Sequence, residues 1–409
     1  MEITEENINQ IEVSAKKLWS FCGLNASDYR SEDLIEEGEE TVGFDFPGDD
    51  ECVSISINDL LDITGHLDSY AEIGDSTVRC FNISQTLIEF GENWDGDEEI
   101  FNEKYESESF IASIVSEPML IGIRNLRHEC FNRDYWSPCK YSFAIEFRYK
   151  NNCSFLPYEE EINEIHRFLY FLTTKHNVIL RTCELPILTK EMLDEENTDI
   201  TDLSNYDFDT SSKVSIYSSS DLPKYTPMLK MYLDALAIKD ETLRFLLFYK
   251  IIEYISPLIA NSNLYKKLEA RLNIGLFTKR GESFYNSIID MVRRYNHSIS
   301  DSELASTVLA ECCDLELTLQ YVPAFVWKLA LNDSSLPKNT KIDNLSGEEI
   351  RKLNISLGKI LYATRNSIVH AKSNYSITGK ECPIRYLREL NEFMEVLTNV
   401  IILYYNNID

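Results

Sequence analysis

Arg365, Asn366 and His370 stand where an arginine, an amide and a histidine crowd together on a backbone patterned as helix. Those side-chain types suit proton transfer at a phosphate. Histidine titrates near neutrality and can serve as base or acid, and arginine presents a planar charged fork that matches phosphate oxygens. An amide one turn before a histidine can orient the imidazole or touch the phosphate itself. The spacing alone is not specific. Arg124-Asn125-Leu126-Arg127-His128 repeats the theme, as does Arg293 with His297, both at shorter separation. An ordinary polar helix face would hold the same residues, and about one such Arg-to-His spacing is expected by chance in a chain of this length.

The elements that must carry these residues are helices. Ser346-Gly347-Glu348-Glu349 matches a capping box, and the helix it opens has an apolar stripe of Ile350, Leu353, Leu357, Ile360, Leu361 and Ile368. At about 100° per residue, Asn366 and His370 lie about 40° apart on the far side from that stripe. Arg365 falls near the stripe's edge, about 140° from His370. One straight helix cannot aim both at a single phosphate, whereas two copies across a twofold axis can. A homodimer through this helical half is therefore expected. Upstream, Thr226 can cap and Pro227 suits a first helical position. Residues 243–259 are apolar nearly all round, interrupted by Lys250 and Glu253, and read as a helix inside a bundle rather than a membrane span. Glu253 must meet a cation there, and Arg365 is a candidate. Ser300 to Glu303 forms a second capping box, and a last helix would bury Ile384, Leu387, Phe393, Met394, Leu397, Val400 and Ile401. Residues 225–409 thus read as an all-α bundle.

The first half differs. A chain of 409 residues implies two domains. Residues 5–21 pattern as an amphipathic helix, residues 53–57 and 141–149 alternate as strands, and residues 178–180 suggest another strand beyond a helix carrying Ile162, Ile165, Leu169 and Leu172. Residues 1–190 are expected to form an α+β domain with an antiparallel sheet, and residues 191–224 an acidic, polar linker. Residues 1–110 hold 29 acidic against 5 basic side chains, a net −24, while residues 111–210 carry −7 and residues 211–409 carry +2. Nucleic acid is repelled by the first third and tolerated by the last. The ten cysteines have no paired metal-ligand spacing and read as free thiols, and Met1 to Glu6 lacks the marks of a signal peptide, so a cytoplasmic protein is expected. His66, His128 and His176 have no partners at metal-ligand spacing, and His166 reads as a packed side chain.

The string Tyr362-Ala363-Thr364-Arg365-Asn366-Ser367-Ile368-Val369-His370-Ala371-Lys372, with Phe248-Tyr249-Lys250-Ile251-Ile252-Glu253-Tyr254 upstream, resembles the HEPN ribonucleases, and within them the ApeA-like branch. The resemblance covers about residues 225–409. It implies a HEPN-like helical bundle and a metal-independent endoribonuclease, with no cofactor or metal, in which Arg365, Asn366 and His370 cleave RNA by way of the neighbouring 2′-hydroxyl. It also implies a homodimer with a composite site, and the role of a toxin-like effector in prokaryotic anti-phage defence. Glu253 would support Arg365, and Lys372, Arg293, Arg294, Lys279 and Arg280 are candidate RNA contacts. The acidic N-terminal domain would restrain the site or sense a phage or host trigger. A different class of reading is a catalytically silent helical scaffold that binds a protein partner or a nucleotide. Retention of both Arg365 and His370 favours the enzyme.

Overall fold

The computed structural model describes residues 2–29, 38–44, 53–91, 93–94, 96, 98–130, 138–139, 142–151, 153–185, 214–224, 226–277, 281–298, 300–337, 345–370 and 379–407. The chain divides into two compact units, Met1–Pro223 and Lys224–Asp409.

The first unit contains helices and a sheet. Its elements in chain order are α1 (Ile8–Phe21), β1 (Thr41–Phe44), β2 (Val53–Ser56), α2 (Ile57–Gly65), β3 (Ala71–Ile73), β4 (Thr77–Cys80), β5 (Ile83–Phe90), β6 (Glu103–Glu106), β7 (Phe110–Ser116), α3 (Met119–Arg127), β8 (Phe143–Tyr149), α4 (Tyr158–His176), β9 (Leu180–Thr182) and β10 (Ser215–Ser218). The main sheet runs β10-β6-β7-β8-β5-β4-β3, with β9 paired to β5, and β1 with β2 forms a separate hairpin. All pairs are antiparallel except β10 with β6, which is parallel. Residues 215–218, read from sequence as linker, are therefore part of the sheet; most of the remaining stretch, 186–213, lies outside the described residues. The strand expected over 53–57 stops at Ser56, whose hydroxyl accepts the Asp59 N–H at 3.1 Å and opens α2.

The alternation around β8 suggests one wet face, yet only Arg148 of that strand is exposed. The strand is central, so both faces are covered. Ala144 packs into a core with Leu18, Leu60, Ile63 and Leu120. On the opposite face Phe147 stacks on Phe110, and Tyr105 meets Phe168 of α4. Two buried carboxylates cross these layers. Glu161 is fully buried, accepts from Ser84 at 2.6 Å and from Tyr149, and lies 3.1 Å from Arg79. Glu146 accepts from Gln85 at 2.6 Å and from Arg148 at 2.5 Å, while Gln85 Oε1 receives the Leu120 N–H near the start of α3. Buried charges persist only when paired in this way.

The second unit is helical: α5 (Pro227–Ala237), α6 (Glu241–Phe277), α7 (Glu282–Ser298), α8 (Asp301–Cys312), α9 (Ala324–Asp333), α10 (Gly347–Val369) and α11 (Leu387–Asn406), with a single turn at Leu315–Thr318. Both capping boxes form: Ser300 with Glu303, and Ser346 with Glu349. Thr226 precedes α5 but makes no side-chain cap bond, so Pro227 and the backbone alone open that helix. Ile384 is 75% exposed in the turn before α11, not buried in it, because the helix starts only at Leu387. The expectation for residues 243–259 also needs correction. Phe245, Phe248, Ile251, Ile252 and Ile255 are buried, but Leu243 and Leu258 are 53% and 44% exposed, so α6 keeps one side open.

The tightest approach is between α8 and α10. A Cβ placed on Gly358 would lie 2.6 Å from the Ser306 Cα, a backbone atom that cannot swing aside. Ala305 and Ser306 supply the small side chains opposite. Asn354 then donates to the Cys313 carbonyl at 2.9 Å, and Arg351 pairs with Glu311 at 2.9 Å. Gly358→Ala is expected to destabilise the second unit by about 1–3 kcal/mol through overpacking. Gly347→Ala, at the first helical position with nothing within 4 Å, should be neutral or slightly stabilising. Denaturant midpoints of the two variants check this, and equal midpoints would refute the close-contact account.

Candidate active site

Helix α10 buries Leu353, Leu357, Ile360, Leu361 and Thr364, and Ile350 and Ile368 are only half-buried. Thr364 fixes the rotation of the last turns. Its hydroxyl donates to the Ile360 carbonyl at 2.8 Å and accepts the Cys382 N–H at 2.9 Å. With Thr364 turned inward, Arg365 is carried about 100° round the axis, toward α6.

There Arg365 Nη2 lies 3.3 Å from Glu253 Oε1, and its Nη1 donates to Asn366 Oδ1 at 3.1 Å. Two side chains from two directions hold one guanidinium. Glu253 and Arg365 remain 46% and 30% exposed, so each keeps hydrogen-bonding capacity toward solvent. The Asn366 amide oxygen thus steadies the arginine. Four residues after Glu253, Pro257 interrupts the amide ladder of α6 and leaves the Glu253 carbonyl without its usual i+4 N–H.

The pair lines a cleft of about 300 Å³. Ile238, Leu243, Leu246 and Leu247 form its apolar wall, with Tyr249, Lys250 and Val369 completing the lining. Tyr249 is only 2% exposed, and burial, with the Glu253 charge next and Arg365 opposing, pushes its phenol well above the ordinary value. It stays protonated at neutral pH. The sequence reading did not single out this cleft. Its one signal was a surplus of apolar positions around α6, more than one core face can cover.

His370 follows the last residue of α10 and is exposed. Its N–H still donates to the Asn366 carbonyl at 2.9 Å, at φ −101° and ψ 10°, so the backbone is just leaving the helix. The structure therefore brings Arg365, Asn366 and Glu253 into direct contact and sets His370 one turn beyond Asn366. Lys279, Arg280 and Lys372 lie outside the described residues. Arg293 and Arg294 belong to α7, and their side chains also lie outside the description. α7 returns along α6, with Arg271 donating to Ser287 at 3.3 Å. At 1.5 Å per residue the end of α6 is about 36 Å along its axis from Glu253. Among the described residues no group of three His, Cys, Asp or Glu side chains could hold a metal ion, none of the cysteines forms a disulfide, and no helix is long and apolar enough to cross a membrane.

Truncating the half-exposed site should cost little stability. Arg365→Ala, Asn366→Ala and His370→Ala are each expected to change unfolding free energy by less than about 1 kcal/mol. Thr364→Val next door strands a buried N–H of Cys382 and should cost about 1–3 kcal/mol. Urea titrations of the four variants test the contrast. A large loss from Arg365→Ala would make it a structural residue.

No protein-family model, curated protein or solved structure matches the chain.

Proposed function

We propose that the second unit is a metal-independent endoribonuclease of the HEPN kind, working as a homodimer and serving as a toxin-like effector of anti-phage defence. The observation that carries this reading is a guanidinium held by Glu253 and Asn366 beside an open cleft, with an exposed His370 one turn past Asn366. Arg365 is oriented yet still open to an incoming anion.

In the reaction, the 2′-oxygen attacks the adjacent phosphorus and the bond to the 5′-oxygen breaks, leaving a 2′,3′-cyclic phosphate and a 5′-hydroxyl. One imidazole accepts the 2′-hydroxyl proton, and a second, protonated imidazole gives a proton to the leaving oxygen. The Arg365 fork donates to the non-bridging oxygens, where charge accumulates. A single subunit has one His370, so the second imidazole comes from His370 of the partner subunit across a twofold axis.

His370→Ala and Arg365→Ala are each expected to lower RNA cleavage by about a hundredfold or more in EDTA-treated buffer. The active species should be a dimer by light scattering. Equal cleavage by the wild type and both variants, or full activity in a monomer, overturns the proposal.

The N-terminal unit, with net −24 over residues 1–110, acts in this reading as an electrostatic restraint on RNA entry. A chain beginning at Lys224 should cut RNA faster than the full chain at low salt, with the difference closing as salt rises. A folded truncation with an unchanged low-salt rate would assign the acidic unit another role.

A further inference from the structure

We propose that the cleft beside Arg365 is a base pocket that selects guanine next to the scissile phosphate; this rests on the ribonuclease reading above. Its volume of about 300 Å³ is at the small end for ligand sites, suited to one flat heterocycle rather than a folded peptide. Ile238, Leu243, Leu246, Leu247 and Val369 give it aliphatic walls, and Tyr249, Lys250, Glu253 and Arg365 supply its polar groups.

Three of those groups keep hydrogen-bonding capacity. Lys250 and Glu253 are three residues apart on α6 and share a face. Among the described residues Lys250 has no ion-pair partner, and Glu253 meets Arg365 through Oε1, leaving Oε2 and the second lone pair of Oε1 to accept. Tyr249 lines the cleft, and its hydroxyl has no hydrogen-bond partner among the described residues. The hydroxyl oxygen is not among the enclosed unpaired atoms, so it can bond to a group that enters the cleft.

The order of donors and acceptors picks the base. A cation beside a carboxylate complements an edge that presents one acceptor followed by two adjacent donors. Guanine offers O6, then N1–H, then the N2 amine. Uracil places a single N–H between two carbonyls, while adenine and cytosine set an amine beside an unprotonated ring nitrogen. Neither pattern fits a carboxylate with two neighbouring contacts. The protonated Tyr249 hydroxyl can donate to a further ring acceptor.

The test uses the full-length dimer and one RNA oligonucleotide with a single variable position carrying G, inosine, A, C or U. Cleavage beside G is expected to be about tenfold or more faster than beside A, C or U. Inosine, which lacks the N2 amine, should fall between. Leu247→Trp, which fills the cleft, and Lys250→Met, which removes the O6 donor, should each collapse the G preference toward unity. If Leu247→Trp fails to fold, Lys250→Met still decides. Equal rates at all five bases, a preference that survives both variants, or loss of the dimer in Leu247→Trp (which would make the cleft a subunit contact) overturns the proposal. Binding of the same oligonucleotides to His370→Ala by fluorescence anisotropy separates the two readings. G over inosine discrimination without any cleavage by wild type keeps the pocket and sinks the ribonuclease; cleavage without discrimination does the reverse.

Discussion

Gly358 has no side chain, and a methyl group there would lie 2.6 Å from the backbone of Ser306. That missing atom sets how closely α8 and α10 approach, and the rotation of α10 follows from it. Asn354, one turn earlier, reaches the Cys313 carbonyl, and Thr364, a turn and a half later, receives the Cys382 N–H. These contacts leave little freedom to turn the helix. A rotation by one residue, about 100°, would bury Arg365 and expose Thr364. The packing register thus decides which side chain near the end of α10 meets Glu253.

The two units use the same residue types for opposite ends. In the first, Glu161 is sealed between Arg79, Ser84 and Tyr149, where loss of any partner leaves a buried charge; the cluster locks α4 to the sheet. In the second, Glu253 and Arg365 are both substantially exposed, and such a pair contributes only about 0–1 kcal/mol. Its value is positional. Glu253 restricts the guanidinium while solvent still reaches it, which is the condition for exchanging one anion for another.

Arg124 and Asn125 show how little local chemistry says about role. Arg124 Nη1 donates to Asn125 Oδ1 at 3.2 Å, almost matching the 3.1 Å between Arg365 and Asn366. Yet Arg124 is buried and also donates to the Cys130 sulfur, Asn125 is spent on the Pro138 carbonyl, and His128 faces Glu72. The second copy of the motif buries its arginine and amide and leaves only the histidine end exposed.

Much of this protein is written locally. Ser300 with Glu303 and Ser346 with Glu349 mark helix starts because capping is satisfied within four residues. The strand at 143–149 follows from side-chain alternation, whereas Glu253 meets Arg365 as its apolar neighbours suggested but from a 46% exposed position that does not require a cation. The polar stretch before Lys224 could not disclose β10, because its parallel pairing with β6 joins residues more than a hundred positions apart and has no local signature. Periodicity likewise shows which side chains of α6 are apolar, but not which of them other helices cover. That depends on how many neighbours pack around the helix, and only the tertiary structure determined that Leu243 and Leu247 would line a cleft beside Arg365.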